Sequence, residues 1–410
     1  MHATLEYIGV TLSLIVMILV AQYSLAVFLR DTSHVREEQL YTIAERVMDK
    51  IVLTTGYPPD WGYNFTAYNA TLQDFGLAMH GTHTPYLLDP DKVMRLANFT
   101  ILPNPIYLNS SYIAKLLGLE DDYGFVLEMV PLLNQTIKVL RYYVVGAGHS
   151  TIKLPAKFKV ILKNYYNMTV PSANVTGIFT LISVERGPGG STLMDIEEIF
   201  TKSNITNIKG ECILDFYDEL LDFYSGVPPG LANKRYLAIL LIHVNWYGFV
   251  SVNAYTETVE EAPATGYVFG NYIILEKDVS VIPRAAVLVK DEVIQAVPEY
   301  RSLFALTAIE LVCNGTTPPE NKPPCYIINS GRFTYRVYRV EYVEKLASHI
   351  FVIAQWRGQI ISIVIDRMPQ IKIKYGHYVE PANAVTLIRD TRIFNYPYII
   401  KLTLWRTVEG

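Results

Sequence analysis

The chain has 410 residues, of which half are apolar and 12% aromatic, and its formal net charge is −4. This length suggests two or three domains, and so apolar a composition excludes intrinsic disorder. A small negative charge without a basic tract argues against nucleic acid as a partner, because binding to phosphates needs clustered positive charge.

The first element in chain order is an apolar stretch of 23 residues, 7–29, without a charged side chain. As a helix, it is long enough to cross a bilayer core of roughly 30 Å. It lacks the basic start, the shorter apolar run and the small-residue cleavage site of a secretory signal. The sequence therefore predicts an uncleaved single-pass transmembrane helix, with the lipid bilayer as its partner through residues 7–29.

Beyond this stretch, apolar side chains recur every three or four residues from Leu40 to Val52, with charged side chains between them. This spacing is typical of an amphipathic helix, and no Pro or Gly separates it from the apolar stretch. One long helix is predicted from about residue 6 to residue 53. It should end before Gly56 and the prolines Pro58 and Pro59.

An apolar half-helix that continues as an amphipathic half-helix and carries a β domain resembles the archaeal type IV pilin-like (class III signal) surface proteins. Residues 2–7, His-Ala-Thr-Leu-Glu-Tyr, resemble the start of their mature form, where a glutamate is fifth. Glu6 takes that place if Met1 is removed. The resemblance implies that Glu6 pairs with the N-terminal amine of a neighbour, so that copies of the chain, or other pilin-like subunits, assemble through this helix.

Two features depart from that family. Its short basic leader is not found before His2, which leaves an upstream start and a lookalike helix as open alternatives. The chain is also much longer than a typical major pilin. A minor or tip subunit, or a relative that does not polymerise, is the form that the resemblance favours.

Sequons for N-linked glycosylation are over-represented. There are nine, whereas 20 Asn and 47 Ser and Thr residues in 410 positions would give roughly two by chance. The excess predicts N-linked glycans and an extracellular C-terminal ectodomain, and it outweighs the opposite charge signal of Arg30 and Arg36. The alternative is that these residues form polar turns without sugar. The predicted sites are Asn64, Asn69, Asn98, Asn109, Asn134, Asn167, Asn174, Asn204 and Asn314.

The predicted fold class is mainly β with a long N-terminal α-helix, divided into four regions. These are a transmembrane anchor and amphipathic stalk helix at 1–56, a small membrane-proximal α+β region at 57–146, an immunoglobulin-like β-sandwich with a helical insert at 147–262, and a C-terminal β-sandwich at 263–410. Alternating apolar residues predict the strands. The helical insert depends on two stretches with helical spacing, 193–200 and 213–224.

Three cysteines are too few for a disulfide scaffold. Cys313 and Cys325 flank a loop rich in Pro and Asn and are predicted to form a disulfide in an oxidising compartment. Cys212 is left over, and the prediction for it is a buried free thiol.

No catalytic residue, cofactor or metal is predicted. His80 and His83 lie three residues apart, but Gly81 indicates a loop rather than a metal-binding helix. The acidic residues of the predicted insert lack the spacing of an EF-hand, so a solvated helix face is preferred to a Ca²⁺ site. They are Glu197, Glu198, Asp215, Asp218, Glu219 and Asp222.

Four aromatic residues lie near predicted turns or strand ends: Trp246, Tyr247, Trp356 and Trp405. They belong either to the core or to a patch that binds a sugar or a partner. The predicted function is a non-enzymatic, membrane-anchored extracellular surface glycoprotein, a pilin-like structural or adhesive subunit. The alternatives are a membrane-tethered ligand- or glycan-binding receptor module and a tethered hydrolase.

Overall fold

The structure is a computed structural model. It describes residues 2–63, 72–82, 84–96, 108–119, 122–145, 152–186, 192–226, 235–257, 266–269, 272–276, 282–290, 304–307, 326–330, 333–339, 347–356, 359–367, 373–377, 383–394 and 396–407. The helices are α1 His2–Leu53, α2 Pro90–Met94, α3 Ser110–Leu116 and α4 Tyr217–Gly226. The strands are β1 Leu87–Leu88, β2 Tyr123–Pro131, β3 Leu133–Val145, β4 Ile152–Asn164, β5 Asn174–Arg186, β6 Thr192–Ile205, β7 Glu211–Asp215, β8 Arg235–Trp246, β9 Phe249–Thr256, β10 Gly266–Phe269, β11 Tyr272–Glu276, β12 Ile282–Lys290, β13 Phe304–Thr307, β14 Tyr326–Ser330, β15 Phe333–Arg339, β16 Ala347–Trp356, β17 Gln359–Asp366, β18 Ile373–Gly376, β19 Val385–Ile393 and β20 Tyr396–Arg406.

Helix α1 does not bear out the predicted transmembrane segment. Its described side chains fall into two stretches, 13–24 and 38–53. The second contains charged residues, among them Glu45 and Lys50. Within the described residues, no helix is both long enough and apolar enough to span a membrane. The predicted transmembrane helix and single-pass membrane localisation are therefore wrong.

The amphipathic half of α1 packs into the protein. Its buried side chains follow the predicted three- and four-residue spacing and join a core that includes β19 and β20. Lys50, on the rim of this face, donates from Nζ to the carbonyl oxygen of Leu116 at 2.8 Å and lies 2.8 Å from a carboxylate oxygen of Asp74. These contacts join the end of α1 to α3 and to the segment around Asp74. The buried residues are Leu40, Ala44, Val47, Met48, Ile51 and Val52.

Five sheets lie in the described part of the chain. Sheet I has the strand order β1-β19-β20-β2-β18. Its central strand β20 runs antiparallel to β19 and β2, with Leu402 opposite Leu387 and Leu127. Alternate side chains of β20 are buried and share the core with α1. The sheet thus joins the predicted 57–146 region with the predicted C-terminal sandwich; the domain limits themselves stay predictions.

Sheets II and III pack face to face. Sheet II has the order β3-β4-β7 and sheet III the order β6-β5-β8-β9. Phe158 of β4 and Phe179 of β5 lie in the core between them. The other face of sheet III contributes Ile182 and Ile239 to the core that contains α1. Sheet III is covered on both faces, so most residues of β8 are buried. The sequence of β8 is accordingly a nearly continuous apolar run.

The predicted helix at 193–200 is wrong, because this stretch belongs to strand β6. β6 pairs with β5, and the register shifts by one residue between Leu181, opposite Glu198, and Ile182, opposite Ile196. Glu197 is therefore the extra residue of a β-bulge. The bulge places Ile196 and Ile199 on the same face, three residues apart, and this spacing imitates that of a helix.

The second predicted helix, at 213–224, is only partly correct. Residues up to Asp215 form β7, and α4 begins at Tyr217. Asp215 accepts a hydrogen bond at Oδ1 from the backbone nitrogen of Tyr217 at 3.2 Å, which caps the start of α4. The polypeptide therefore changes from strand to helix at Phe216, inside what looks like one helical pattern.

Sheets IV and V contain the remaining strands, in the orders β10-β11-β15-β14 and β13-β12-β16-β17. β16 and β17 form a hairpin, with pairs running from His349 and Asp366 to Trp356 and Gln359. The described part is mostly β, as predicted, and a β-sandwich is compatible with it. The predicted fold class is nevertheless wrong in its transmembrane helix and in its helical insert.

Candidate assembly and recognition surfaces

The apolar stretch 13–24 of α1 is exposed around its whole circumference. Its large side chains have exposed fractions from 48% at Ile18 to 74% at Tyr23, and the stretch has no charged side chain. A helix that is apolar on all sides is normally covered by other groups. This stretch is therefore a candidate association surface. Its exposed large residues are Leu14, Ile15, Val16, Met17, Ile18, Leu19, Val20 and Tyr23. The side chain of Glu6, predicted to act in assembly, lies outside those that the structure describes.

A second apolar surface lies where sheets II and III end together. We call it the loop end, and it comprises the segments 165–173, 205–210 and 246–249. These segments meet because Asn174, at the start of β5, pairs with both Ile205 of β6 and Asn245 of β8. Six large apolar side chains are exposed here by 43–86%. They are Tyr166, Met168, Ile205, Ile208, Tyr247 and Phe249.

Hydrogen bonds fix the backbone of the loop end. Thr206, which is buried, donates from Oγ1 to the carbonyl of Val170 at 2.8 Å and accepts from the backbone nitrogen of Ala173 at 2.9 Å. Asn164 accepts at Oδ1 from the backbone nitrogens of Tyr166 and Met168, both at 3.0 Å. The exposed side chains therefore stand on a pre-formed scaffold, which lowers the entropic cost of binding.

Tyr247 occupies a backbone conformation that its side chain disfavours. With φ values of 50° at Tyr247 and 87° at Gly248, both central residues of the β8–β9 turn are left-handed. Two-residue hairpin turns of this kind favour Asn-Gly, and a bulky residue in this region costs about 1–2 kcal/mol. The ring of Tyr247 is 83% exposed and meets Trp246 edge-on, with ring centroids 5.6 Å apart.

A narrow cleft adjoins the loop end. It lies between Pro131, Leu133, Val250, Ser251 and the segment 396–398 of β20, and its free volume of about 10 Å³ has room for roughly one water molecule. It is therefore too small for an organic substrate. Beside it, the buried Gln135 donates from Nε2 to Oγ of Ser251 at 2.9 Å, which joins β3 to β9.

The strongest cluster of buried charges has a structural role. Asp91 and Arg367 are both buried, and Nη2 of the arginine lies 3.2 and 3.3 Å from the two carboxylate oxygens. Lys92, fully buried, donates from Nζ to the carbonyls of Thr55 and Ala78 at 2.9 and 2.8 Å. The cluster thus joins α2 to the end of α1 and to the residue that follows β17. Such charges are costly to bury and are stable only when neutralised.

Asp89 lies beside this cluster and has a raised pKa. Burial raises its pKa, and the neighbouring charge of Asp91 raises it further. Its Oδ1 accepts from the backbone nitrogens of Asp91 and Lys92 at 3.0 and 3.4 Å. It is therefore the N-cap of α2.

Candidate metal ligands do not come together. No group of three or more His, Cys, Asp or Glu side chains suited to a metal ion occurs among the described residues. In the acidic stretch, Asp215 lies 2.8 Å from Lys157 and Glu219 lies 2.7 Å from Lys202. His80 is exposed in a turn, and His83 lies outside the described residues.

Cys212 is a buried free thiol, as predicted. Burial raises its pKa to about 11, so the reactive thiolate is rare at neutral pH. Cys313 and Cys325 lie outside the described residues, and the disulfide between them stays a prediction.

The described sequon asparagines are all exposed. These are Asn109, Asn134, Asn167, Asn174 and Asn204. Asn64, Asn69, Asn98 and Asn314 lie outside the described residues. Exposure is compatible with modification by sugars, which stays a prediction for all nine.

The four singled-out aromatic residues have different environments. Tyr247 is exposed, Trp246 is half-buried beside Phe249, and Trp405 is 6% exposed and packs against His377. The side chain of Trp356 lies outside those described. The exposed apolar residues of the loop end were not predicted from the sequence. Asn164 and Asn207 could have indicated them, because these asparagines mark the turns that carry the exposed side chains.

We found no match to this chain among models of protein families or among curated proteins.

Proposed function

We propose that this protein is a non-enzymatic structural subunit that associates with other copies of itself through residues 13–24 of α1. The observation that carries the proposal is the exposure of an uncharged, apolar helical stretch on all sides. The pilin-like pattern of the sequence supports the same function. A ligand- or glycan-binding receptor and a hydrolase stay predicted alternatives.

The magnitude of the apolar exposure supports association. Fully burying an aliphatic side chain contributes about 1.5–3 kcal/mol. Eight side chains that are about half to three-quarters exposed would then contribute on the order of 10 kcal/mol, which is comparable to the estimated cost of association, about 4–15 kcal/mol. Because the exposure surrounds the helix, a single partner would leave part of it in water. Several copies, packed around one another, would cover it.

The proposal is tested with Met17→Glu, which places a charge in the centre of the stretch at a residue that is 69% exposed. Wild-type protein should form oligomers or filaments in sedimentation velocity and electron microscopy, and Met17→Glu should reduce their fraction at least tenfold. Ile388→Glu is the matched control, since Ile388 is 53% exposed on β19, away from this stretch. A wild-type protein that stays monomeric at all concentrations, or a Met17→Glu protein that assembles normally, contradicts the proposal.

A further inference from the structure

The sequon at Asn167, in the loop end, directly follows two tyrosines. Asn167 is exposed and left-handed, with a φ of 63° in the turn after β4. Tyr165 and Tyr166 precede it directly, with ring centroids 4.8 Å apart, and Tyr166 is 72% exposed. A residue with an exposed ring thus precedes the exposed acceptor asparagine in the chain. Thr169 completes the sequon.

The side-chain amide of Asn167 is held in one orientation. Its Oδ1 accepts a hydrogen bond from Nζ of Lys163 at 2.9 Å, and within the described residues its Nδ2 makes no hydrogen bond. The nitrogen is the atom to which an N-linked sugar is attached. The lysine therefore binds the oxygen side of the amide and leaves the nitrogen side accessible.

Asn204 shows the opposite arrangement. Its Nδ2 donates to the carbonyl of Ile213 at 2.9 Å, and its Oδ1 accepts from the backbone nitrogen of Ile205 at 2.8 Å. Both ends of this amide are used, and the first bond joins the edge strands β6 and β7. Asn204 is exposed and has a complete sequon, yet its nitrogen already has a structural partner.

We propose that Asn167 carries an N-linked sugar whose first residue packs on the ring of Tyr166. In the transfer, Nδ2 forms a bond to the anomeric carbon of a phosphate-activated sugar donor and loses one proton. The bond between that carbon and the phosphate oxygen breaks, and the phosphate leaves with the electron pair. The C–H groups of a sugar carry partial positive charge and suit the negative face of an aromatic ring.

This packing also accounts for the exposed apolar surface around the turn. Thr169 donates from Oγ1 to the carbonyl of Ile208 at 3.4 Å, so the exposed Ile208 and Met168 lie next to the same turn. A sugar on Asn167 would shield part of this surface from water. The inference goes beyond the proposed function and does not depend on assembly through α1.

The test compares protein from a host that performs N-glycosylation with protein from a host that does not. Mass spectrometry of the peptide around Asn167 should show the sugar. In glycosylated material, Asn167→Gln should lower the Tm by about 2 °C. In unglycosylated material the same substitution should lower the Tm by less, because only the left-handed backbone and the hydrogen bond from Lys163 are then affected. Asn134→Gln, on the exposed face of β3 between Leu133 and Gln135, is the matched control and should leave the Tm unchanged in both.

Tyr166→Ala separates the sugar from its packing. It should leave the sugar on Asn167 detectable and abolish the extra loss of Tm that Asn167→Gln causes in glycosylated material. An unmodified Asn167 in the glycosylating host overturns the inference. So does an extra loss of Tm from Asn167→Gln in glycosylated material that persists in the Tyr166→Ala background, because the sugar on Asn167 would then stabilise the protein without the ring.

Discussion

His349 is a titratable side chain whose protonation is controlled by its position. It is fully buried on β16, and its Nδ1 lies 2.9 Å from Oγ of the buried Ser348. Burial lowers its pKa to about 3, against an ordinary value of 6.5. The folded protein therefore holds this ring neutral where the unfolded chain protonates it. His80, exposed in its turn, has no comparable environment.

This difference predicts an acid-sensitive stability. Between about pH 6.5 and pH 3, the unfolded chain binds a proton at His349 that the folded chain does not bind. The stability that depends on a neutral His349 is therefore fully present above pH 6.5. As the pH falls below this value, the free energy of unfolding decreases, with a slope approaching 1.4 kcal/mol per pH unit. Urea unfolding of wild type and His349→Gln at pH 7, 6, 5 and 4 should show a shallower decline for the variant.

His80→Gln is the control for that experiment, because its ring is solvated in the folded protein. Its stability should follow the wild-type curve at every pH. If wild type and His349→Gln lose stability in parallel between pH 7 and pH 4, His349 does not contribute to the acid sensitivity.

At the scale of single residues, the sequence predicts structure best where typical turn residues occur. The β8–β9 hairpin could be predicted because Asn245 and Gly248 are typical turn residues. Asn245 does accept at Oδ1 from the backbone nitrogen of Gly248 at 3.0 Å. The 86% exposure of Ile208 could not be predicted from the sequence, because an isoleucine is normally expected in the core.

At the scale of elements, strand β6 shows why a local pattern can mislead. Because of the bulge at Glu197, Ile196 and Ile199 lie on the same face of β6 although they are three residues apart in the chain. Only the register against β5 distinguishes this spacing from that of a helix. Sequence periodicity contains no information on the partner strand. The amphipathic half of α1, α2 with its cap, and the β16–β17 hairpin were predictable because each depends on contacts within a short segment.

The bulge predicts that β6 tolerates a deletion at one position. Ile196 and Glu198 already lie opposite consecutive residues of β5, Ile182 and Leu181. Removing Glu197 should therefore leave both halves of β6 in register and change the free energy of unfolding by less than about 1 kcal/mol, a small effect for a deletion within a strand. Urea denaturation of the deletion variant measures this change.

Deletion of Thr201 is the matched control on the same strand. Thr201 lies opposite Ile178 in regular pairing, so its loss moves the following residues to the other face of the sheet. We expect a cost of at least about 3 kcal/mol, as for other disruptions of packed structure. Equal destabilisation by the two deletions would show that Glu197 is not an expendable bulge residue.

At the scale of the whole molecule, sheet I depends on pairing between distant parts of the chain. β20 lies between β19 and β2, and β2 in turn separates β20 from β18. The side chains of Leu127, Leu402 and Ile373 belong to one core with the buried half of α1. Sequence patterns locate these strands but do not identify which strands pair across more than 250 residues, so the sheet order could not be predicted.

This long-range pairing predicts that residues 263–410 do not fold to their native state alone. Without β2, β18 loses its pairing from Ile373 opposite Met129 to Gly376 opposite Val126, and β20 loses one of its two neighbours. The buried side chains of β20 would also lose the cover of α1. A fragment of residues 263–410 should lack a cooperative thermal transition by circular dichroism, whereas mixing it with a fragment of residues 1–262 should restore one. The intact chain provides the reference transition. If the 263–410 fragment unfolds cooperatively by itself, at the temperature of the intact chain, the predicted limit at residue 262 marks an independent domain and the pairing with β2 is dispensable for its fold.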